Sequence, residues 1–262
     1  MEYIVVTGAY GGIGRETVKK FLSLGYTVFA LDRKVENSEE GIIPIEVDVT
    51  SEESVLNAYK KVSKITNKVS AIIHFAGIYV LDSLVEMSEE KFVKSFNVNV
   101  FGAFRINKAF LPLIKGGRII ITTSELAPLD PLPFTGVYAI TKSVLDKYAY
   151  SLRMEVQLLD IKVSVLRAGA VSTGLLNVST QELDKFIEKT QLYKCNAERF
   201  KKVVNSVESK SVHPSKIANK VCKIVKAKRP RYVYKINRNP LLLLLNALPH
   251  RLQNYAIKKI LK

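Results

Sequence analysis

Several things this chain has little of narrow what it can be. Among its 262 residues are two cysteines, Cys195 and Cys222. They make neither a disulfide framework nor a metal-ligand pattern, which suits a reducing, cytoplasmic setting. No apolar run is long enough to span a bilayer. No succession of basic, apolar and small residues opens the chain, which begins Met1-Glu2-Tyr3-Ile4, so no secretory leader is expected. Residues 210–262 contain no Asp or Glu at all, against 14 Lys or Arg. That last absence accounts for nearly all of the net charge of +16, because the preceding residues hold 26 basic and 24 acidic side chains. Whatever the excess attracts, it attracts at the C-terminal end.

What remains fits one large α/β domain. Tyr3-Ile4-Val5-Val6 is a short branched apolar run, the profile of a buried parallel strand. It ends at Thr7-Gly8-Ala9-Tyr10-Gly11-Gly12-Ile13-Gly14, after which a helical pattern runs through Val18, Phe21 and Leu22. Glycines there let the backbone turn sharply and approach a phosphate, and the helix start offers free N–H groups to a pyrophosphate. The spacing is Gly-x-x-x-Gly-x-Gly, not the Gly-x-Gly-x-x-Gly of the general dinucleotide fingerprint. A second strand, residues 27–31, ends at Asp32, 18 residues after Gly14. A carboxylate at that point accepts hydrogen bonds from ribose hydroxyls and repels a 2′-phosphate, which favours NAD. Arg33 beside it is suited to pairing with that phosphate, so NADP stays open.

A third strand, 42–47, leads into Asp48-Val49-Thr50, with Thr50 or Ser51 capping a helix through Val55, Tyr59 and Val62. A fourth, 69–75, ends in Ala76-Gly77, small enough for the backbone to pass close to a cofactor ring or simply to turn. A long helical pattern from 88 to about 113 holds Asn99-Val100-Phe101-Gly102, residues that disfavour a helix and suggest a kink. A fifth strand, 118–123, delivers Ser124 at its carboxyl end, where open α/β sheets place their ligands. Tyr138 follows 14 residues later and Lys142 lies four beyond it, one turn along the same helix face. A free phenol, with a pKa of roughly 10, is a poor base at neutral pH. A fixed cation nearby favours the phenolate. The alternation of strands and helices predicts a doubly wound parallel sheet with helices on both faces, a single domain plus a C-terminal tail.

Thr7-Gly8-x-x-x-Gly12-Ile13-Gly14, Asp48-Val49, Asn99, Ser124 and Tyr138-x-x-x-Lys142 together resemble the short-chain dehydrogenase/reductase family, of its shorter, classical type, over roughly residues 3–235. The resemblance implies a Rossmann-like fold and an NAD(P)-dependent oxidoreductase acting on a secondary alcohol or ketone. It implies Tyr138 as general acid/base, Lys142 lowering its pKa and holding the nicotinamide ribose, Ser124 bonding the substrate oxygen, and Asn99 holding a water in a proton relay. Asp48 and Val49 would contact the adenine. Gly8, Gly12, Ile13, Gly14, Asp32, Arg33, Ala76, Gly77, Val171 and Thr173 complete the expected cofactor site. Two motifs depart from the family. Asn-Asn-Ala-Gly appears as His74-Phe75-Ala76-Gly77, with His74 read as structural. The Pro-Gly motif after the sixth strand, 162–167, appears as Ala168-Gly169-Ala170-Val171-Ser172-Thr173. A catalytically silent dinucleotide-sensing or scaffold protein on the same fold is the alternative, against which the complete set Asn99, Ser124, Tyr138 and Lys142 speaks.

The segment 125–134, rich in Leu and Pro, and Val171, Leu175 and Leu176 opposite it suit an apolar substrate, steroid-, retinoid- or lipid-like. The same residues would equally pack the loop onto its own domain. Residues of about 174–210, helical by pattern from 180 to 209, read as a lid on a domain of 1–235. A seventh strand around 230–234 precedes a basic, leucine-rich tail, 236–262, in which five leucines, 241–245, follow Asn239-Pro240. Its apolar stripe and basic face suit either peripheral contact of residues 239–262 with an anionic membrane or docking on the protein itself. Nucleic acid is not expected, since the residues between the charges are leucines rather than stacking aromatics. A homo-oligomer, dimer or tetramer, is expected.

Overall fold

Runs of branched apolar residues with no polar face become strands covered from both sides. Residues 4–6, 71–73 and 119–121 expose no surface. The computed structural model describes residues 2–36 and 39–262, apart from the side chains of 175–179 and 208. Leu175 and Leu176, assigned to the substrate wall from sequence, thus fall outside the described side chains. The strands are β1 Glu2–Thr7, β2 Tyr26–Asp32, β3 Ile42–Glu46, β4 Ala71–His74, β5 Arg118–Thr122, β6 Lys162–Ala168 and β7 Val233–Ile236. They form one sheet in the order β3-β2-β1-β4-β5-β6-β7, and every pairing is parallel. The chain is therefore a Rossmann-like doubly wound fold, with its topological switch point between β1 and β4.

Side-chain alternation along each strand sends successive residues to opposite layers. Ile119 and Ile121 meet α2 (Glu52–Ser63), α4 (Gly102–Phe110) and α5 (Gly136–Val156) through Val55, Ile106, Phe110 and Leu145. Ile120 meets α1 (Gly12–Leu22) and α8 (Pro214–Lys226) through a second core containing Phe21, Ile217 and Val221. Truncating Ile120 to Ala would cost about 2–5 kcal/mol, from lost transfer energy plus an unfilled cavity. Ser51 is the residue that caps α2, accepting from Ser54 N.

The long helical pattern is broken as its asparagine suggested. α3 (Glu89–Phe96) passes into a π-helical turn, Asn97–Phe101, before α4 begins. A π turn lets in an extra residue, and such insertions recur at functional sites. The residues read from sequence as a lid form α6 (Gly174–Lys189) and α7 (Lys194–Glu208). The tail is two helices, α9 (Pro240–Asn246) and α10 (His250–Leu261). One face of α10 docks on the protein. Gln253 and Leu261 are buried, and Leu261 and Ile257 join a third cluster with Phe186, Ala197 and Phe200. Leu252, Tyr255 and Ile260 remain exposed. No helix among the described residues is long and apolar enough to cross a membrane.

Candidate active site

Parallel strands deliver their carboxyl ends to one edge of the sheet, and a cavity of about 2050 Å³ opens there. Single-ligand pockets run to roughly 300–1,000 Å³, so this one has room for two ligands side by side. Among the predicted site residues, Gly8, Gly12, Ile13, Gly14, Asp32, Arg33, Asp48, Val49, Ala76, Gly77, Ser124, Tyr138, Lys142, Val171 and Thr173 line it. Asn99 does not.

The cofactor half is a backbone cradle. Gly8 has φ +66°, and a Cβ there would lie 2.7 Å from Ala76 N. A Cβ on Gly14 would lie 2.1 Å from Gly8 O. Neither position tolerates a side chain, so the turn can present bare N–H groups and the start of α1 to a phosphate. Asp32 Oδ2 accepts from Tyr10 N at 3.0 Å, which ties the end of β2 to the glycine turn. Arg15, directly after Gly14, is held by Glu36 through two guanidinium hydrogen bonds, one of them 2.6 Å. Arg33 is exposed. Asp48 Oδ1 accepts from Thr50 N and Oγ1 at 2.8 and 2.7 Å, which holds its carboxyl below the usual range. Thr173 sits opposite Gly12, whose Cβ would lie 2.9 Å from Thr173 Cβ. Residues of this kind fit a dinucleotide: close glycine backbone for the pyrophosphate, carboxylates for the adenosine end, and small residues beside the ring position.

In the other half, the start of α5 sets Tyr138 and Lys142. Arg167 on β6 anchors that helix, gripping Asp146 at 2.9 and 2.7 Å. Lys142 Nζ lies 5.7 Å from the Tyr138 ring centroid and donates to Thr122 O at 3.3 Å. A Cβ on Gly77 would lie 3.6 Å from Nζ, so the ammonium reaches the cofactor side of the cavity. Burial acts on both groups against their charges. It pushes the Tyr138 phenol up to about 12, partly offset by a hydrogen bond with Ser124, and lowers Lys142 to about 8. Desolvation is the largest cause in each case. Ser124 is buried at the end of β5, its Oγ accepting from Leu126 N at 3.2 Å.

Asn99 lies behind this wall, on the π turn. Its Nδ2 donates to Ile78 O and Thr141 Oγ1 at 3.0 and 3.1 Å, and its Oδ1 accepts from Ile78 N at 2.8 Å. His74 points away from the cavity into the core, Nε2 to Asn107 Oδ1 at 2.8 Å, and burial lowers it to about 4. The segment 125–134 divides between its two readings. Leu126, Leu132 and Pro133 line the cavity, while Phe134 packs with Phe186, Tyr193 and Phe200.

Sequence reasoning missed three participants. Tyr79 meets the Tyr138 ring edge-on at 4.4 Å. Glu125, buried beside Ser124, accepts Asn239 N at 2.6 Å. Leu241, Leu242, Leu244 and Leu245 of α9 line the cavity. For Glu125 the only signal was a charge in an otherwise apolar segment; for the leucines nothing local said which wall they would face.

Residues 2–184 match the family model described as short chain dehydrogenase. Over 264 residues the chain is 27% identical to a 3-ketodihydrosphingosine reductase of Bacteroides thetaiotaomicron, covering 98% of this chain and 97% of that one. It is 32% identical to estradiol 17-beta-dehydrogenase 2 of Mus musculus over 187 residues, 66% of this chain but only 49% of that protein. An alcohol dehydrogenase from Thermococcus sibiricus, solved with 5-hydroxy-NADP, superposes with a TM-score of 0.75 at 25% identity, over 92% of this chain and 99% of its own. A short-chain dehydrogenase from Streptomyces avermitilis, 21% identical with a TM-score of 0.78 over 99% and 96%, shares the fold.

Proposed function

The chain belongs to the short-chain dehydrogenase family and is an oxidoreductase, and from that premise we propose that its substrate is an apolar, lipid-like secondary alcohol or ketone, with Tyr138 as general acid/base. The observation that carries this reading is one cavity holding both the glycine cradle and Ser124, Tyr138 and Lys142, with leucines over the remainder. The full-length likeness to a 3-ketodihydrosphingosine reductase supports a long-chain carbonyl substrate.

Gly8, Gly12, Gly14 and Thr173 would hold the pyrophosphate and carboxamide ends of the cofactor, Asp32 the adenosine ribose, and Lys142 the nicotinamide ribose. Asp32 and the engagement of Arg15 by Glu36 support NAD, while exposed Arg33 keeps NADP in contention. When bound, the nicotinamide supplies or takes up hydride and, oxidised, adds a positive charge. Tyr138, protonated with its pKa near 12, donates its proton to the carbonyl oxygen during reduction. Ser124 stabilises charge developing on that oxygen. In oxidation Lys142 supports the phenolate that accepts the proton. Asn99 serves as a positioning residue, because its amide is fully engaged with Ile78 and Thr141. Helices α6 and α7 act as the lid, and residues 239–262 as a basic edge for an anionic membrane. Exposed Phe101, Phe104 and Val144, on the adjoining π turn, α4 and α5, support self-association.

The test follows nucleotide absorbance with long-chain ketones and alcohols. Tyr138→Phe should lower turnover by about 10²–10⁴ while nucleotide binding, read by fluorescence, stays nearly intact. Retention of turnover in that variant would remove Tyr138 from the chemistry.

A further inference from the structure

A buried carboxylate in the wall that also carries Ser124 and Tyr138 calls for a reason. Glu125 is 6% exposed, and its peptide neighbour is Ser124. Its Oε2 accepts the Asn239 N–H at 2.6 Å, and a Cβ on Gly169 would lie 2.9 Å from its Oε1. The chain it grips is the three-residue link out of β7. Asn237 holds a left-handed conformation there, φ +52°, and its Nδ2 donates to Ala170 O and Lys210 O at 2.9 and 3.0 Å. Asn239 then caps α9, its Oδ1 accepting from Leu241 N at 2.9 Å. Two residues later the leucines start, and four of them line the cavity that also holds Ser124 and Tyr138. At its far end α9 is tied to the loop after β5, where Asp130 N donates to Asn246 Oδ1 at 3.3 Å. The α9 helix is thus fastened at both ends to the segment that begins with Ser124.

We propose that residues 237–246 form a strap whose leucines are the binding wall for the alkyl chain of the substrate, and that Glu125 is the positioning residue that latches this strap beside Ser124. The inference rests on the oxidoreductase reading and deepens it, since it assigns the chain-length preference to α9. Without the Glu125 acceptor, Asn239 N–H loses its partner and the near end of α9 is held only through Asn237. A carbonyl carbon would still meet Ser124, but its chain would no longer meet a fixed apolar wall. Two-thirds exposed, Leu241 and Leu244 mark where that chain enters.

Chain length reads the strap directly. Each methylene buried against it is worth about 0.8 kcal/mol, roughly a fourfold gain in kcat/KM per added carbon. With the series from butan-2-one to tetradecan-2-one, wild type should show that slope over the carbons in contact. Glu125→Ala should flatten it towards unity, whatever the level at butan-2-one. Glu125→Gln, which keeps a carbonyl acceptor for Asn239 N–H, should restore it. An unchanged slope in Glu125→Ala, with all chain lengths slowed alike, would overturn the latch. A second readout needs no turnover. Trypsin cutting after Arg238 should be at least about tenfold faster in Glu125→Ala than in wild type or Glu125→Gln, because opening that bond requires releasing Asn239 N–H. Equal cleavage rates would refute the latch even if no ketone is reduced, whereas an inert wild type with a protected bond would count against the substrate reading alone.

Discussion

Asn99 holds the peptide of Ile78 from both sides, donating to its carbonyl at 3.0 Å and accepting its N–H at 2.8 Å. Ile78 follows Gly77 at the mouth of the cavity, so a side chain on a helix sets the path of a loop that would lie against the cofactor. The π turn makes this reach possible. Asn99→Ala leaves both Ile78 groups and Thr141 without that partner, which should cost roughly 1–3 kcal/mol of stability. Urea unfolding measures it. Turnover should fall as well, and a variant with wild-type stability and rate would remove the clamp from consideration.

His74 makes stability fall in mild acid. Its folded pKa of about 4 lies below the ordinary 6.5, because burial disfavours the imidazolium. The unfolded chain therefore binds more protons between those values, and stability drops as pH falls through that window. The full effect is about 3 kcal/mol. Replacing it by His74→Asn should flatten this limb of the urea midpoint against pH between 4 and 6.5. If the limb persists unchanged, another group is responsible.

Cofactor choice should turn on the end of β2. Asp32→Ala removes the charge that repels a 2′-phosphate and should raise NADP affinity relative to NAD by about tenfold, one opposing charge at close range. Arg33→Ala should move the ratio the other way. Calorimetric titration of both nucleotides with both variants gives the answer, and no shift in either would place the discrimination elsewhere.

Membrane contact should depend on the basic residues of α10. Lys258 and Lys259 are exposed beside exposed Ile260. At about 1 kcal/mol for each basic residue near an anionic surface, the pair Lys258→Ala and Lys259→Ala should weaken co-sedimentation with phosphatidylserine vesicles by roughly thirtyfold. Neither residue is part of the buried face of α10, so folding should be spared. Binding that is insensitive to this change, and to salt, would leave the tail as a docked element only.

The sheet was legible because its strands are apolar on both faces, and no amphipathic helix imitates residues 119–121. Tyr138, Lys142 and Ser124 were legible for a different reason: none of them alone points to a site, but with the glycine turn, Asp48-Val49 and Asn99 they make the joint pattern that carries the family resemblance. Asn99 was found as a break in a helical pattern, but its true engagement with Ile78 depends on a loop 21 residues away. The direction of the Tyr138 shift was not legible at all. Spacing tells which cation is near, whereas desolvation depends on how tightly Tyr79, Ser124 and the rest of the wall close around the ring. Glu125 and α9 were hidden for the same reason, since their partnership joins residues 114 positions apart.

Leu241 and Leu244 are at once the outer surface of the molecule and the inner wall of its chamber. An amphiphile added to keep such a surface in solution meets the same side chains that a substrate tail would. If the substrate tail lies on these leucines as proposed, detergents would act as competitors as well as solubilisers, and kinetics recorded in micelles would understate how tightly the chamber grips its ligand.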